Sequence, residues 1–262
     1  MSKHTTTFDQ RFREVDYDDA RHKYFLGNII YRSATQIIEQ FYEHFDTPEK
    51  SVYMSERYGN TPEYWVAKWK EGNQESLSRG TTLHNEKEEF TYGRGFDRLN
   101  GKDFIVRNRN LWPNHFPYNK LPDGCYPELK LWRHDFRIAG RADKPTFETI
   151  SNSRYMHIED YKTNKKIEKE SFKDKEGNYR MMIGPLSHLM DCNYNHYTLQ
   201  LSLYQYMGEY MGFKPGIRRI IHYPHTIFPH LPPPKPVVYQ LEYMKKEVIA
   251  MLHHLKYKQW LN

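Results

Sequence analysis

Apolar residues recur at helical spacing early in the chain. Ile37, Ile38, Phe41 and Phe45 form one apolar stripe, and Ser33 can cap the helix that carries it. A helix is therefore predicted from Ser33 to about Phe45.

Two more helices are predicted before residue 92. Thr61-Pro62-Glu63 is a typical helix start, because proline is favoured at the first helical position, and it leads into residues 64–70. A further helix is predicted over residues 76–92. Together these helices predict a helical layer over residues 28–92, preceded by a polar, mobile arm at residues 1–20.

Strand patterns cluster in the middle of the chain. Residues 126–132 and 136–139 can pair as a hairpin, and residues 156–162 are expected to lie beside them. Residues 217–223 form another apolar, β-branched run. Residues 126–223 are therefore predicted to be the core that carries the chemistry.

Helical spacing returns in the second half of the chain. A helix is predicted over residues 196–211, ended by Gly212 and Pro215. The five prolines of residues 229–236 indicate an extended connection within a single domain of 262 residues. An amphipathic helix is predicted over residues 238–260, with apolar positions at Leu241, Met244, Val248, Leu252 and Leu255.

Composition favours a globular protein with an acidic partner. Hydrophobic residues make up 38% and charged residues 27% of the chain, and 39 Lys and Arg against 33 Asp and Glu give a net charge of +6. A clustered excess of this kind can contact phosphates, and exposed rings among the 22 tyrosines can stack on bases of a single strand.

Cysteine content and hydropathy restrict the class of protein. Two cysteines, Cys125 and Cys192, are too few for an iron-sulfur cluster held by four cysteines or for a Cys₄ zinc site. No apolar run approaches 18 residues, and the polar N-terminus is unlike a signal peptide. We therefore expect no membrane segment, no iron-sulfur cluster and a cytoplasmic location.

Two acids and a lysine form the most informative pattern. Asp143 ends the stretch Gly140-Arg141-Ala142-Asp143, and Asp160 follows it by 17 residues within Asp160-Tyr161-Lys162. Two carboxylates can hold one or two Mg²⁺ ions, and side chains alternate along a strand, so Lys162 shares a face with Asp160. An ammonium there could orient a water or stabilise charge on a phosphate. The alternative is a chance match, because Asp-x-Lys is common in charged chains.

Residues before the acids could complete a metal site. His84 and Glu88 lie four residues apart on a predicted helix and share a face. A neutral imidazole can join carboxylates in binding Mn²⁺, although a single histidine is more often structural. Glu128 precedes Asp143 on a predicted strand, where a third acid and an exposed strand residue are equally good interpretations.

Residues after the acids could support the chemistry or contact DNA. Close behind the candidate lysine come Thr163, Lys165 and Lys166, which could contact phosphates. The alternative for the two lysines is a solvated charge pair. Gln200 and Tyr204 lie one turn apart on the inward face of a helix, where a buried amide needs a partner. They could orient a catalytic side chain or a phosphate, or be an ordinary core pair.

Taken in order, these segments resemble the motifs of the RecB-like branch of the PD-(D/E)xK nuclease superfamily. The similar motifs are GxxxH at residues 80–84 with a following acid at Glu88, GxxD at residues 140–143, DxK at residues 160–162 and QxxxY at residues 200–204. The resemblance spans residues 80–204, and compact phage-type or organellar exonucleases are the most similar form.

The resemblance implies an α/β fold with a restriction-endonuclease-like core, which is a mixed central sheet flanked by helices. It implies one or two Mg²⁺ or Mn²⁺ ions held by His84, Asp143, Asp160 and the Tyr161 carbonyl. It also implies Lys162 at the attacking water, with Gln200 and Tyr204 in support.

Three features depart from the family. A Gly-rich helicase motif is missing, the cluster cysteines of several relatives are missing, and Lys144-Pro145 follows Asp143 where relatives continue an apolar strand. The stretch just after Asp143 therefore departs from the family pattern.

The expected function is a metal-dependent deoxyribonuclease that acts on DNA ends or single strands. An exonuclease of DNA recombination, repair or replication is favoured, with a recombinase or helicase as a possible partner, in the bacterial host cytoplasm if the gene is phage-encoded. The alternatives are a DNA-binding module that keeps the nuclease fold and an endonuclease, including one that processes RNA, with the same site.

Overall fold

The computed structural model describes residues 9–224, 234–258 and 260 of the chain. These residues form an α/β fold with five α-helices and a curled, mixed β-structure. None of the described helices is long and apolar enough to cross a membrane.

Three short strands open the described chain: β1 (Asp16–Asp18), β2 (Lys23–Leu26) and β3 (Ile29–Ser33). This differs from the predicted mobile arm at residues 1–20, of which residues 1–8 lie outside the described part. Phe12 and Val15 are buried in the core, and β1 pairs with β2. The few apolar side chains in this polar segment thus anchor it to the protein.

Three helices follow: α1 (Ala34–Ile38), α2 (Thr47–Tyr58) and α3 (Pro62–Arg94). The cap at Ser33 is confirmed, because its hydroxyl accepts from the Gln36 backbone and the Gln36 side chain accepts from the Ser33 backbone. The helix is shorter than predicted and ends at Ile38, with a 3₁₀ turn after it; Phe45 is exposed.

The helix start at Thr61 is also confirmed, since the Thr61 hydroxyl accepts from the Tyr64 backbone. The two helices predicted after it are one helix, α3, of 33 residues. Gly72 does not break this helix, because a glycine in a helix interior costs only about 1 kcal/mol relative to alanine. The predicted helical layer at residues 28–92 is therefore two long helices preceded by strand β3 and the short α1.

Seven strands make up the middle of the chain: β4 (Phe96–Leu99), β5 (Lys102–Ile105), β6 (Gly124–Cys125), β7 (Leu129–Arg133), β8 (Ile138–Ala142), β9 (Lys144–Ile150) and β10 (Ser153–Lys162). The remaining elements are α4 (Asn193–Tyr210), β11 (Lys214–His222), β12 (Val237–Gln240) and α5 (Lys245–Tyr257).

The strands form two five-stranded sheets and a separate β4–β5 hairpin. One sheet has the order β1-β2-β3-β8-β7 and the other β12-β11-β10-β9-β6. The pairs β3–β8 and β10–β11 are parallel, whereas the other strand pairs are antiparallel. The sheets meet at Asp143, the single residue between β8 and β9.

The predicted hairpin is confirmed as β7–β8, joined by a 3₁₀ turn over His134–Phe136. Residues 126–128 lie outside the strand, however, and β9 separates β10 from the hairpin it was expected to join. The strand resumes directly after Asp143, through Lys144-Pro145. Pro145 of β9 pairs with Ile158 of β10. The Pro145 carbonyl accepts from the Tyr126 backbone N–H at 2.9 Å.

The helix predicted over residues 196–211 is confirmed as α4, and the strand predicted over 217–223 as β11. The C-terminal helix is confirmed as α5, but residues 238–240 belong to β12, so the helix begins later than predicted. Residues 229–233 of the proline-rich connection lie outside the described residues.

Helix α4 covers the sheets, and Tyr204 packs directly on Gly140 of β8. A Cβ atom at Gly140 would lie 2.4 Å from Tyr204 Cε1, closer than real contacts allow. Gly140 is therefore required for the approach of α4 to the strand that leads to Asp143.

Gly140→Ala should destabilise the protein by about 1–3 kcal/mol, because the ring of Tyr204 must move away from the strand. Urea unfolding measures this loss. Gly80→Ala, within helix α3, is the matched control. A Cβ atom at Gly80 would have only Thr163 Oγ1 nearby, at 3.9 Å. This substitution should stabilise the helix by about 0.5–1 kcal/mol. Equal effects of the two substitutions would contradict the proposed Gly140–Tyr204 packing.

Candidate active site

Four separate elements bring the predicted site residues together. Helix α3 carries His84, the β8–β9 junction carries Asp143, and β10 ends with Asp160 and Lys162. Helix α4 carries Gln200, with Tyr204 one turn later. The residues lie far apart in sequence, so the curled sheet and its two helices create the site.

His84, Glu128 and Asp143 offer ligand atoms that all lie within 4.8 Å of one another, an arrangement that could hold a metal ion. His84 Nδ1 lies 3.5 Å from Asp143 Oδ2 and 3.9 Å from Glu128 Oε1. An imidazole with two carboxylates is a donor set that suits Mn²⁺ and other divalent cations. The sequence left open whether Glu128 is part of the metal site or an exposed strand residue. In the structure Glu128 lies beside Asp143.

The backbone at Glu128 has an unusual conformation. Its φ is +54°, in the left-handed region that residues with a Cβ rarely adopt. Its backbone N–H donates to the Asp143 carbonyl at 2.9 Å, which fixes the two residues side by side. Such strained positions concentrate at functional sites.

The second ring nitrogen of His84 faces the backbone of β10. Nε2 lies 3.3 Å from the Tyr161 carbonyl, which can only accept, so Nε2 carries the proton of that hydrogen bond. Nδ1 is then the atom available to a metal, as in metal sites where the other ring nitrogen donates to a carbonyl. The Tyr161 carbonyl here orients His84, and the Tyr161 backbone N–H donates to Asp143 Oδ2 at 2.8 Å.

The electrostatics of these residues suit a bound cation. Burial, and then the charge of Asp160, raise the pKa of Asp143 to about 8, against the effects of His84 and Lys162. Burial alone would lower the pKa of His84, but its interaction with Glu128 and the charges of Asp143 and Asp160 raise it to about 9. The raised pKa values mean that protons compensate the buried carboxylates, a role that a divalent cation could also fill.

Asp160 stands slightly apart from the His84, Glu128 and Asp143 group. It is 1% exposed and forms an ion pair with Lys162, as expected for two side chains on one face of β10. Lys162 Nζ also lies 4.9 Å from the centre of the Tyr197 ring. Burial would lower the pKa of Lys162, but Asp160 and Asp143 raise it, so Lys162 is a charged ammonium at neutral pH.

Gln200 and Tyr204 form a hydrogen-bonded pair in which Tyr204 is buried and Gln200 is partly exposed. Gln200 Nε2 donates to the Tyr204 hydroxyl at 3.1 Å. Burial, followed by the charge of Asp160, raises the pKa of Tyr204 far above its ordinary value, so the phenol stays protonated. The pair lies behind Asp160 and under Gly140, where it can support the acid from the helix side.

Two neighbouring clefts open along helix α3. One, of about 460 Å³, is lined by Gly80, His84 and Glu88 of that helix together with Glu128 and Arg141. Burial and the nearby Glu128 raise the pKa of Glu88.

The second cleft, of about 570 Å³, lies next to it. Its lining residues are Asn73, Ser76, Leu77, Arg79, Thr163, Asn164 and Lys165. Lys166 instead pairs with Glu168 at 2.9 Å. Of the three supporting residues predicted after Lys162, two therefore line a cleft and one forms a surface ion pair.

Two further residues that the sequence analysis did not select belong to this site. Arg141 Nε lies 2.7 Å from Glu128 Oε2, and Tyr197 contacts Lys162 and donates its hydroxyl proton to Asn164 Oδ1 at 2.5 Å. Signals for both were present, since Arg141 lies inside the Gly140–Asp143 stretch and Tyr197 precedes Gln200 by three residues on one helix face.

Comparison with known proteins does not extend these observations: the chain matches no protein-family model and no curated protein.

Substitutions of the acids should separate the metal ligands from their neighbours. Mn²⁺ at about 100 times its Kd should raise the Tm of the native protein by about 5–10 °C. Asp143→Asn and Glu128→Gln should abolish this shift, because each removes a charged ligand. Glu88→Gln is the control in the same cleft and should preserve it. Differential scanning fluorimetry, with each variant compared with its own metal-free Tm, gives the answer. If Asp160→Asn abolished the Mn²⁺-induced shift of the Tm and Glu128→Gln preserved it, the metal ligand would be Asp160 and not Glu128.

Proposed function

We propose that this protein is a Mg²⁺- or Mn²⁺-dependent deoxyribonuclease with a restriction-endonuclease-like core, acting as an exonuclease on DNA ends or single strands. The observation that carries the proposal is the convergence of His84, Glu128 and Asp143 next to the Asp160–Lys162 pair. Carboxylates, an imidazole and a protonated lysine in one buried corner are the groups that metal-assisted phosphodiester hydrolysis needs. RecB-like motifs in the same order support it.

The metal would be held by His84, Glu128 and Asp143, with Asp160 beside them. When bound, a divalent cation polarises the phosphate and makes a neighbouring water more acidic. The chain's own contribution is to keep these ligands in place: Asp143 is held by the Tyr161 backbone, and His84 by the Tyr161 carbonyl. Positioning of this kind lowers the entropic cost of the reaction.

Lys162 is suited to stabilise charge and orient water, and poorly suited to remove a proton. The acids around it keep its ammonium protonated, and the Tyr197 ring limits its movement. A fixed positive charge in a buried site favours the negative charge that builds up on the phosphate in the transition state.

A nucleic-acid substrate fits the cleft chemistry. The cleft beside the site carries Arg79 and Lys165, and carboxylates are absent from its described lining residues. The net charge of +6 agrees with an anionic substrate. A recombinase or helicase that supplies DNA ends is the proposed kind of partner.

Asp160→Ala and Lys162→Ala should each lower cleavage of single-stranded DNA with Mn²⁺ by about 100-fold or more, because metal, water and lysine act as a unit. The rate is measured on end-labelled DNA. Asp103→Ala and Lys175→Ala are matched controls on exposed positions and should cleave normally. Near-normal cleavage by either site variant would refute the assignment.

Linear DNA should be shortened from its ends, whereas closed single-stranded circles should persist, and EDTA should stop the reaction. A time course on end-labelled linear and circular DNA with Mg²⁺ or Mn²⁺ measures this. Cleavage of the circles would indicate an endonuclease. DNA that is retarded on a gel but never shortened would indicate a DNA-binding module.

A further inference from the structure

The helix pair before the active site is largely exposed. We call residues 47–79, which contain α2 and the first half of α3, the hairpin arm. Between residues 42 and 90, all of which are described, Ser51 is the only buried residue. The arm therefore contributes almost nothing to the protein core, and its aromatic residues need another explanation.

Five rings gather here, four on the arm and Phe45 just before it, and we call them the aromatic cluster: Phe45, Tyr58, Tyr64, Trp65 and Trp69. Phe45 meets the edge of Trp69 with ring centres 5.0 Å apart, and Tyr64 meets Trp65 at 5.4 Å. Tyr58 is 57% exposed and Tyr64 46% exposed, so ring surface remains open to water. A contiguous aromatic patch that is exposed to water often marks a binding site.

Cations lie against the same rings. Lys68 Nζ is 5.1 Å from the centre of the Trp65 ring and 5.8 Å from that of Tyr64. Arg57 lies 5.4 Å from the Tyr58 ring. A single nucleic-acid strand offers a partner to both groups, since its bases stack on the rings and its phosphates attract the cations. Bases inside a duplex are stacked already and cannot do this.

One face of α3 connects the cluster to the active site. At 3.6 residues per turn, Trp65, Trp69, Ser76 and His84 lie on one side of the helix. Glu71 and Glu75, the carboxylates between Trp65 and His84, lie away from this side, on the face that also carries Tyr64 and Lys68. The distance from Trp65 to His84 along the helix is about 28 Å.

The clefts follow this face. The cleft with Arg79 and Lys165 shares Ser76 and Leu77 with the cleft that contains His84. Leu77 is 72% exposed between them. The cleft with Arg79 and Lys165 has no carboxylate among its described lining residues, and it leads along α3 to the cleft of His84, whose own lining includes Asp19, Glu88 and Glu128.

We propose that the hairpin arm binds single-stranded DNA, with bases stacked on the aromatic cluster, and leads the strand along α3 to His84. The direction of the strand rests on the proposed nuclease function. Binding itself rests on the arm's own rings and cations.

The test is binding of a fluorescein-labelled oligothymidylate of about 16 nucleotides, measured by anisotropy in EDTA so that no cleavage occurs. Tyr64→Leu with Lys68→Ala should raise Kd about tenfold, because one stacking ring and one phosphate contact are lost. The slope of log Kd against log salt should also fall by about 0.7. Tyr257→Leu with Lys258→Ala makes the same two changes on exposed residues at the end of the C-terminal helix and should leave Kd within about twofold.

Lys68→Ala alone retains every ring and replaces the double variant if that variant does not fold; it should show the same change of slope. An unchanged Kd and slope in the arm variant, or no binding by the native protein, would overturn the proposal and leave the cluster as a protein-docking surface. Cleavage with Mn²⁺ is measured separately. Arm-dependent binding without any shortening of DNA would refute the nuclease and leave the arm's role intact.

Discussion

Buried negative charge at the junction of the two sheets is the constraint on which the rest of the structure depends. Asp143 and Asp160 are almost fully buried, and Glu128 is held next to them in a strained backbone conformation. Removing such charges from water costs several kcal/mol per ion unless other groups compensate. His84, Lys162 and Arg141 supply that compensation from three different elements. The positions of α3 and β10 are therefore tied to the acids.

The opposite face of β10 shows how a purely structural charge cluster differs. Glu159 pairs with Lys144 at 2.6 Å and with Arg219 at 2.7 Å, and Lys144 also contacts Asp97 at 2.9 Å. Two acids and two bases balance there, and they fasten β9, β10, β11 and the β4–β5 hairpin together. At the face that carries Asp160, burial and the charge of Asp160 raise the pKa of Asp143 to about 8, although His84 and Lys162 act against this. This raised pKa separates the candidate site from the structural cluster on the opposite face.

Local patterns predicted the elements whose signals are local. The caps at Ser33 and Thr61, the β7–β8 hairpin, α4 and α5 follow from spacing and capping residues. The sequence could not reveal that β9 lies between β8 and β10, or that Glu128 turns back toward Asp143, because both depend on long-range pairing and a rare backbone angle. The polar segment at residues 9–18 is anchored by the buried Phe12 and Val15 and by the ion pairs of Glu14 with Arg109 and Lys130, and these long-range contacts leave only a weak pattern in the sequence.

Helix α3 connects the candidate site with the exposed hairpin arm. Its C-terminal half is fixed against β10 through His84, whereas its N-terminal half is exposed and supported mainly by α2. An exposed helix is held by few tertiary contacts, so it needs either strong local propensity or a partner. Because α3 is continuous past Gly72, the aromatic cluster and the candidate ligand His84 lie on one helix. Binding at the arm would therefore steady the same helix that positions the imidazole.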